Sequence, residues 1–167
     1  MTLASPAWTR SKRRTRAVLL LTAAAALVTR SVTATAARQL AGLDTVGLPG
    51  PVDLRLLFNP GAAFGLGAAL PAGTMTVITA ILVTGLLWYA WRVTPTTGRA
   101  GRAGWAVLLG GATANLLDRS LDGVVTDYLH TGWWPTFNLA DVAIVTGAAL
   151  LLLSALRSPT ATDTEAQ

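Results

Sequence analysis

The sequence predicts an all-α membrane protein, with four transmembrane helices carrying a small extracytoplasmic β-element. Three observations lead there. Apolar residues make up 52% of the 167-residue chain and charged residues only 13%, against roughly 25% in ordinary globular chains. A water-soluble fold of this size has too much surface for so few charges, and a chain this apolar does not stay disordered. Next, the charges are gathered into clusters separated by long charge-free runs. Finally, acids and bases sort to opposite sides of those runs, so the net charge of +5 reads as a topological label.

The elements follow in order. Residues 1–16 form a basic cytoplasmic tail with Arg10, Lys12, Arg13, Arg14 and Arg16. The first span is placed at about 17–37. Its clean apolar core, Ala17–Val28, is followed by Arg30, Ser31, Thr33 and Thr35. The same stretch also fits a cleavable signal peptide, with a basic start, a short apolar core and the small residues Thr33–Ala37. Cleavage would leave three spans in the same orientation. The segment 38–70 contains the turn cluster 47–51 and then Val52–Phe58, which partly alternates and reads as a strand. Asn59-Pro60-Gly61 is a turn, and Ala62–Leu70 a short apolar element at the membrane surface.

The second span, about 71–91, holds no charge, and about 20 apolar residues cross a bilayer core. It ends in Trp88, Tyr89, Trp91 and Arg92, an aromatic belt followed by a cation. The third span, about 102–118, is short and carries the polar Asn115. Gly123–Thr126 reads as another short strand, and the fourth span covers about 137–157. Residues 17–157 thus make one four-span membrane domain, and 158–167 a second cytoplasmic tail. The positive-inside rule puts both termini in the cytoplasm. Nine of the 13 bases then lie inside with Asp163 and Glu165, while the other six acids lie outside. Nucleic-acid binding is disfavoured, because membrane spans divide the bases.

The chain has no Cys and a single His, His130. Disulfides, thiolate sites, cysteine nucleophiles and multi-histidine metal sites are therefore excluded. Carboxylates remain. Asp141 sits one turn into the fourth span, and a carboxylate inside a membrane helix is functional by default. Asp127 lies on the same outer side. Two carboxylates sharing one site do not both ionise easily, so one keeps a proton while the other acts as a base. Such a pair can hydrolyse a peptide bond without a covalent step. Asn115, Asp118 and Arg119 share one helical face, as do Asn138 and Asp141.

Plainer readings stand beside this one. Asp118 and Arg119 read equally as an ion pair ending the third span. Asp122 reads as a solvated loop charge, and Asp127 alone as a turn residue. Asp141 also suits an ion or proton site in a small transporter. His130 and Trp133-Trp134 read as interfacial anchors.

Three blocks make the chain resemble the lipoprotein signal peptidase (signal peptidase II) family of membrane aspartyl proteases. They are Phe58-Asn59-Pro60-Gly61-Ala62-Ala63-Phe64-Gly65, then Gly110–Arg119 running on through Gly123–Asp127, then Phe137-Asn138-Leu139-Ala140-Asp141-Val142-Ala143-Ile144. The resemblance implies catalysis by Asp127 and Asp141, with support from Asn59, Asn115, Asp118, Arg119 and Asn138. It implies no metal or organic cofactor. The implied partners are prolipoprotein signal peptides carrying a diacylglyceryl-Cys, together with membrane lipids, with the protein acting as a monomer. The implied location is the cytoplasmic (inner) cell membrane, multi-pass, with the active site on the extracytoplasmic side. The family pattern has Asp-Gln and then Thr-Lys late in its first span, where this chain reads Val28-Thr29-Arg30-Ser31-Val32-Thr33. Ala114 stands in place of Gly, and Thr126 in place of Val. A non-catalytic or divergent relative that binds lipidated peptides therefore stays open as an alternative.

Overall fold

The computed structural model of the chain describes residues 7–62, 65–71 and 73–157, with the side chains of 7–11 left aside. The start of the N-terminal tail, the tail 158–167, and Ala63 and Phe64 of the first sequence block lie outside the described residues.

The described residues form six elements in the order α1 Ala7–Leu40, β1 Asp53–Asn59, α2 Thr74–Val93, α3 Arg99–Asp122, β2 Val125–His130 and α4 Leu139–Leu156. The first helix begins at Ala7, so most of the expected basic tail is helical. Among the described residues, three helices are long and apolar enough to cross a membrane: Lys12–Leu40, Thr74–Val93 and Leu139–Leu156.

The expected third span, α3, is not among them, and its packing explains why. It is the central helix, in contact with α1, α2 and α4, and Gly101, Gly104, Trp105, Ala106, Leu109, Gly110, Gly111, Ala112 and Ala114 are buried along it. A helix surrounded by helices needs small residues for close approach more than it needs large apolar ones. A side chain on Gly111 would strike the Ala140 carbonyl and Ile144 of α4. One on Gly110 would strike Ala25 of α1, and one on Gly147 the backbone of Leu108 and Gly104.

These contacts also fix direction. Gly101 faces Ser154 while Gly111 faces Ala140, so α3 and α4 run antiparallel. Val18 packs in the same cluster as Trp105, Gly110 meets Ala25, and Arg30 meets Asp118, so α1 and α3 run parallel. Tyr89 stacks edge-on against Trp105 with ring centroids 5.6 Å apart, while Thr79 bonds to Arg119, so α2 runs opposite to α3. The helices therefore alternate up and down. One end of the bundle gathers the bases: Arg14 donates to the Pro95 carbonyl there (3.1 Å), close to Arg99 and Arg102.

The other end carries the sheet. β1 and β2 pair antiparallel, with Leu57 opposite Asp127, Phe58 opposite Thr126 and Asn59 opposite Val125. Two strands alone are barely stable in water; here they rest on α1 and α3. Two sequence expectations are corrected at this point. Gly123 is not in a strand but caps α3 in the left-handed conformation (φ 78), where Gly is the default because a Cβ is disfavoured. The strand begins two residues later and carries Asp127 inside it. The expected apolar element Ala62–Leu70 is a series of turns over its described residues, with Gly65 and Gly67 at positive φ.

Candidate active site

Asp127 and Asp141 come together because the chain folds back between them. After β2 the chain turns through Gly132 (φ 81). Phe137 then bridges Leu129, donating to its carbonyl (3.0 Å) and accepting from Tyr128 N and Leu129 N. The next residue, Asn138, is the N-cap of α4. The returning chain thus sets the start of α4 beside the strand that holds Asp127.

Asn138 is 1% exposed and touches both carboxylates. Its Nδ2 donates to Asp127 Oδ1 (2.9 Å) and to Asn115 Oδ1 (3.1 Å). Its Oδ1 accepts from Ala140 N (2.7 Å) and Asp141 N (3.1 Å), capping the helix. Its backbone N donates to Asp141 Oδ2 (3.0 Å), completing a capping box with Asp141 at the third helical position. Every polar group of this amide is used, so its orientation is fixed.

Asn115 closes the ring from α3, with Nδ2 donating to Asp141 Oδ1 at 2.8 Å. Asn59 holds Asp127 from the other side, with Nδ2 donating to Oδ2 at 3.2 Å, while its own Oδ1 accepts from Gly61 N at 2.9 Å. Asp127 is 2% exposed. Its burial, and then the negative charge of Asp141, push its carboxyl up to about 7, against the opposing pull of Asn59, Asn138 and Arg119. At neutral pH this carboxyl is poised between its two forms.

The reading of Asp118 with Arg119 as an ion pair is corrected. Arg119 turns to the β1 end and to α2, donating to the carbonyls of Asn59 (3.4 Å) and Gly61 and to Thr79 Oγ1 (3.3 Å). Asp118 turns to β2 and α1. Its Oδ2 accepts from Thr126 N at 2.7 Å, and its Oδ1 lies 3.5 Å from Arg30 Nη1. The two neighbours therefore act as two separate braces. Asp122 is exposed, as expected, but it is the last residue of α3 and not a loop charge. The His130 ring meets Thr136 Oγ1 (3.2 Å) and, among the described residues, makes no hydrogen bond to the carboxylates of this network.

Sequence reasoning missed three contributors. Thr79 receives Arg119, the Tyr128 hydroxyl accepts from Leu139 N (3.2 Å), and Arg30 pairs with Asp118. Arg30 alone left a signal, as a cation in an apolar helix. A groove of about 430 Å³ opens beside Asp141, lined by Thr131, Trp133, Trp134, Phe137, Val142, Val145 and Thr146.

A helical membrane protein with paired, asparagine-bridged carboxylates at one end of its bundle has the layout of an aspartic protease. The comparisons narrow this class. The family described as Signal peptidase (SPase) II matches residues 13–157. The chain is 42% identical over 111 residues to a lipoprotein signal peptidase of Syntrophomonas wolfei, covering 65% of this chain and 71% of that one. It is 38% identical over 154 residues to the lipoprotein signal peptidase of Mycolicibacterium smegmatis, covering 87% of this chain and 63% of that one. The fold matches a bacterial membrane enzyme solved by the in meso method, with TM-score 0.69 and 22% identity over 90% of this chain and 93% of the other. The chain belongs to the signal peptidase II family of aspartic membrane proteases.

Proposed function

We propose that this protein is an aspartyl endopeptidase that removes signal peptides from diacylglyceryl-modified prolipoproteins at the outer face of the cytoplasmic membrane. The observation that carries the reading is Asn138, one buried side chain whose residue holds Asp127 and Asp141 in a single network. Family membership supports the substrate class.

In this reading all four helices span the membrane, α3 included, within one domain. The alternating directions of the helices support that count. The gathering of bases at one end and of Asp118, Asp127 and Asp141 at the other supports a cytoplasmic N-terminus and an outward-facing site. The chain acts as a monomer, with lipids around α2 and α4, whose surfaces are largely exposed apolar residues such as Ile81, Leu82, Val145 and Leu152. The apolar groove beside Asp141 offers a place for an apolar part of the substrate.

Chemistry follows from the different settings of the two carboxyls. Asp127, raised to about 7, supplies the proton at neutral pH. Asp141 accepts two N–H donors at a helix N-terminus, where negative charge is favoured. It takes a proton from a water as the water oxygen adds to the scissile carbonyl. Asp127 gives its proton to the carbonyl oxygen. Asp141 then returns a proton to the amide nitrogen as the C–N bond breaks, and the gem-diol gives a proton back to Asp127 as it collapses to the acid. Asn59, Asn115 and Asn138 hold both carboxyls in place throughout, and Asp118 and Arg119 brace the strands that carry them.

The pH dependence has a defined sign. Activity needs the proton on Asp127, so kcat/KM falls as pH rises through about 7. Folding stability from the same group also falls between its ordinary range and about 7, because the native state binds the proton more tightly than the unfolded chain does. A pH–rate profile with a diacylated lipobox peptide checks the first; a profile flat from pH 6 to 8.5 contradicts it.

Asn138→Ser separates capping from positioning. Serine keeps a cap oxygen, so the helix start stays capped, while the loss of the two Nδ2 bonds lowers stability by about 1–3 kcal/mol. The donor to Asp127 is lost, so kcat drops about 10²-fold. Thermal unfolding in detergent and single-turnover cleavage measure the two parts.

A further inference from the structure

Arg30 lies in α1 just past its apolar core Ala17–Val28, where an unpaired guanidinium is costly. Its Nη1 sits 3.5 Å from Asp118 Oδ1; the Arg30 side chain is 27% exposed and that of Asp118 6%. The second oxygen of Asp118 accepts from Thr126 N at 2.7 Å, a buried bond. Thr126 immediately precedes Asp127 in β2 and is itself buried. Arg119, the neighbouring cation, places its Nη groups on Asn59, Gly61 and Thr79. Among the described residues, the cation in ion-pair contact with Asp118 is therefore Arg30.

We propose that Arg30 is a positioning residue for the cleavage reaction: by pairing with Asp118 it aims that carboxylate at the Thr126 N–H and so fixes the strand that presents Asp127. The inference rests on the aspartyl endopeptidase reading above. Without the guanidinium, Asp118 is left as a nearly buried charge that has lost its ion pair, a state that favours rotation away from Thr126 toward water. Thr126 N then loses its acceptor, and a buried unpaired N–H displaces the strand. Asp127 moves out of register with Asn59 and Asn138. This chain thus braces its first catalytic carboxyl from α1 with a cation.

The test uses the full chain in lipid nanodiscs with a diacylglyceryl-modified lipobox peptide. The wild type is compared with Arg30→Met, Arg30→Lys, Asp118→Asn and the Arg30→Met/Asp118→Asn double variant. Arg30→Met is expected to lower kcat about 30- to 100-fold with KM changed less than about twofold, and Arg30→Lys to recover to within about fivefold of wild type. In the Asp118→Asn background, Arg30→Met is expected to cost less than about twofold, since the partner it serves is gone. A merely structural Arg30 would lower the melting temperature and leave kcat per folded enzyme unchanged.

Arg30→Met within about twofold of wild type overturns the proposal, as does an equal loss in both backgrounds. If Arg30→Met does not fold, the other variants decide. Near-normal Arg30→Lys, with a double variant matching Asp118→Asn, sustains the proposal. A folded but inactive Arg30→Lys, or a double variant far below Asp118→Asn, overturns it. A wild type that cleaves nothing overturns the endopeptidase reading and this inference with it. A cleaving wild type matched by Arg30→Met overturns only the role of Arg30.

Discussion

Asp127→Asn and Asp141→Asn are each expected to lower turnover by about 10³-fold or more, with both variants still inserting and folding. An amide is close in shape to a carboxyl but neither gives nor takes the proton the reaction needs. The two substitutions are expected to act alike on rate, because the proposed cycle uses both carboxyls as one unit and losing either removes it. They differ in stability. Asp127 is buried with its carboxyl pushed up to about 7, so at pH 8 its ionised form opposes folding. Asp127→Asn removes that charge and is expected to raise the melting temperature above pH 7 while abolishing cleavage. Asp141 closes the capping box of α4, and its replacement is expected to bring no such gain. Differential scanning fluorimetry from pH 5 to 9, beside cleavage rates, reads both effects. Near-wild-type cleavage by either variant rules out the acid–base assignment.

Gly111→Val is the second large effect, and it acts through packing. A side chain there strikes the Ala140 carbonyl as well as Ile144 and Ala143 of α4. The clash falls one residue before Asp141, in the first turn of the helix. Overpacking of this kind costs about 1–3 kcal/mol. It also pushes the α4 start away from Asn115, and displacing a reacting group by about 1 Å costs about 10²-fold in rate. Gly85 is the control. It lies on an exposed face of α2, and a side chain there meets nothing within 4 Å. Gly85→Ala is expected to leave cleavage unchanged and to stabilise the helix by about 0.5–1 kcal/mol. A tolerated Gly111→Val would mean that α3 and α4 do not approach as described.

The contrast between these glycines shows what could be read from the sequence and what could not. The apolar runs of α2 and α4 were legible because lipid-facing helices keep a continuous apolar surface. The centre of the bundle was less so. α3 faces protein on most sides, so its composition records close approach more than hydropathy. The two carboxylates could be paired from their side of the membrane and the shortage of other chemistry. Their actual link could not, because it runs through the Leu129–Phe137 bridge, a backbone contact that residue types do not encode. Asp118-Arg119 misled for a related reason. Adjacent opposite charges look like a pair, yet side chains at consecutive helical positions point about 100° apart and find different partners. Arg30 was visible as a misplaced cation, but its partner lies on α3, and only the parallel packing of α1 and α3 brings it to Asp118.

The most direct test of the account is cleavage of a diacylglyceryl-modified prolipoprotein by the purified chain in ¹⁸O-labelled water, followed by mass spectrometry. Water activated by an aspartyl pair predicts two products in a single turnover. One is a signal peptide with one ¹⁸O in its new carboxylate, and the other a mature fragment beginning at the lipidated Cys. No covalent enzyme adduct forms, and neither product appears with Asp127→Asn or Asp141→Asn. Cleavage at another bond, a trapped acyl-enzyme, or labelled product from either variant would contradict it.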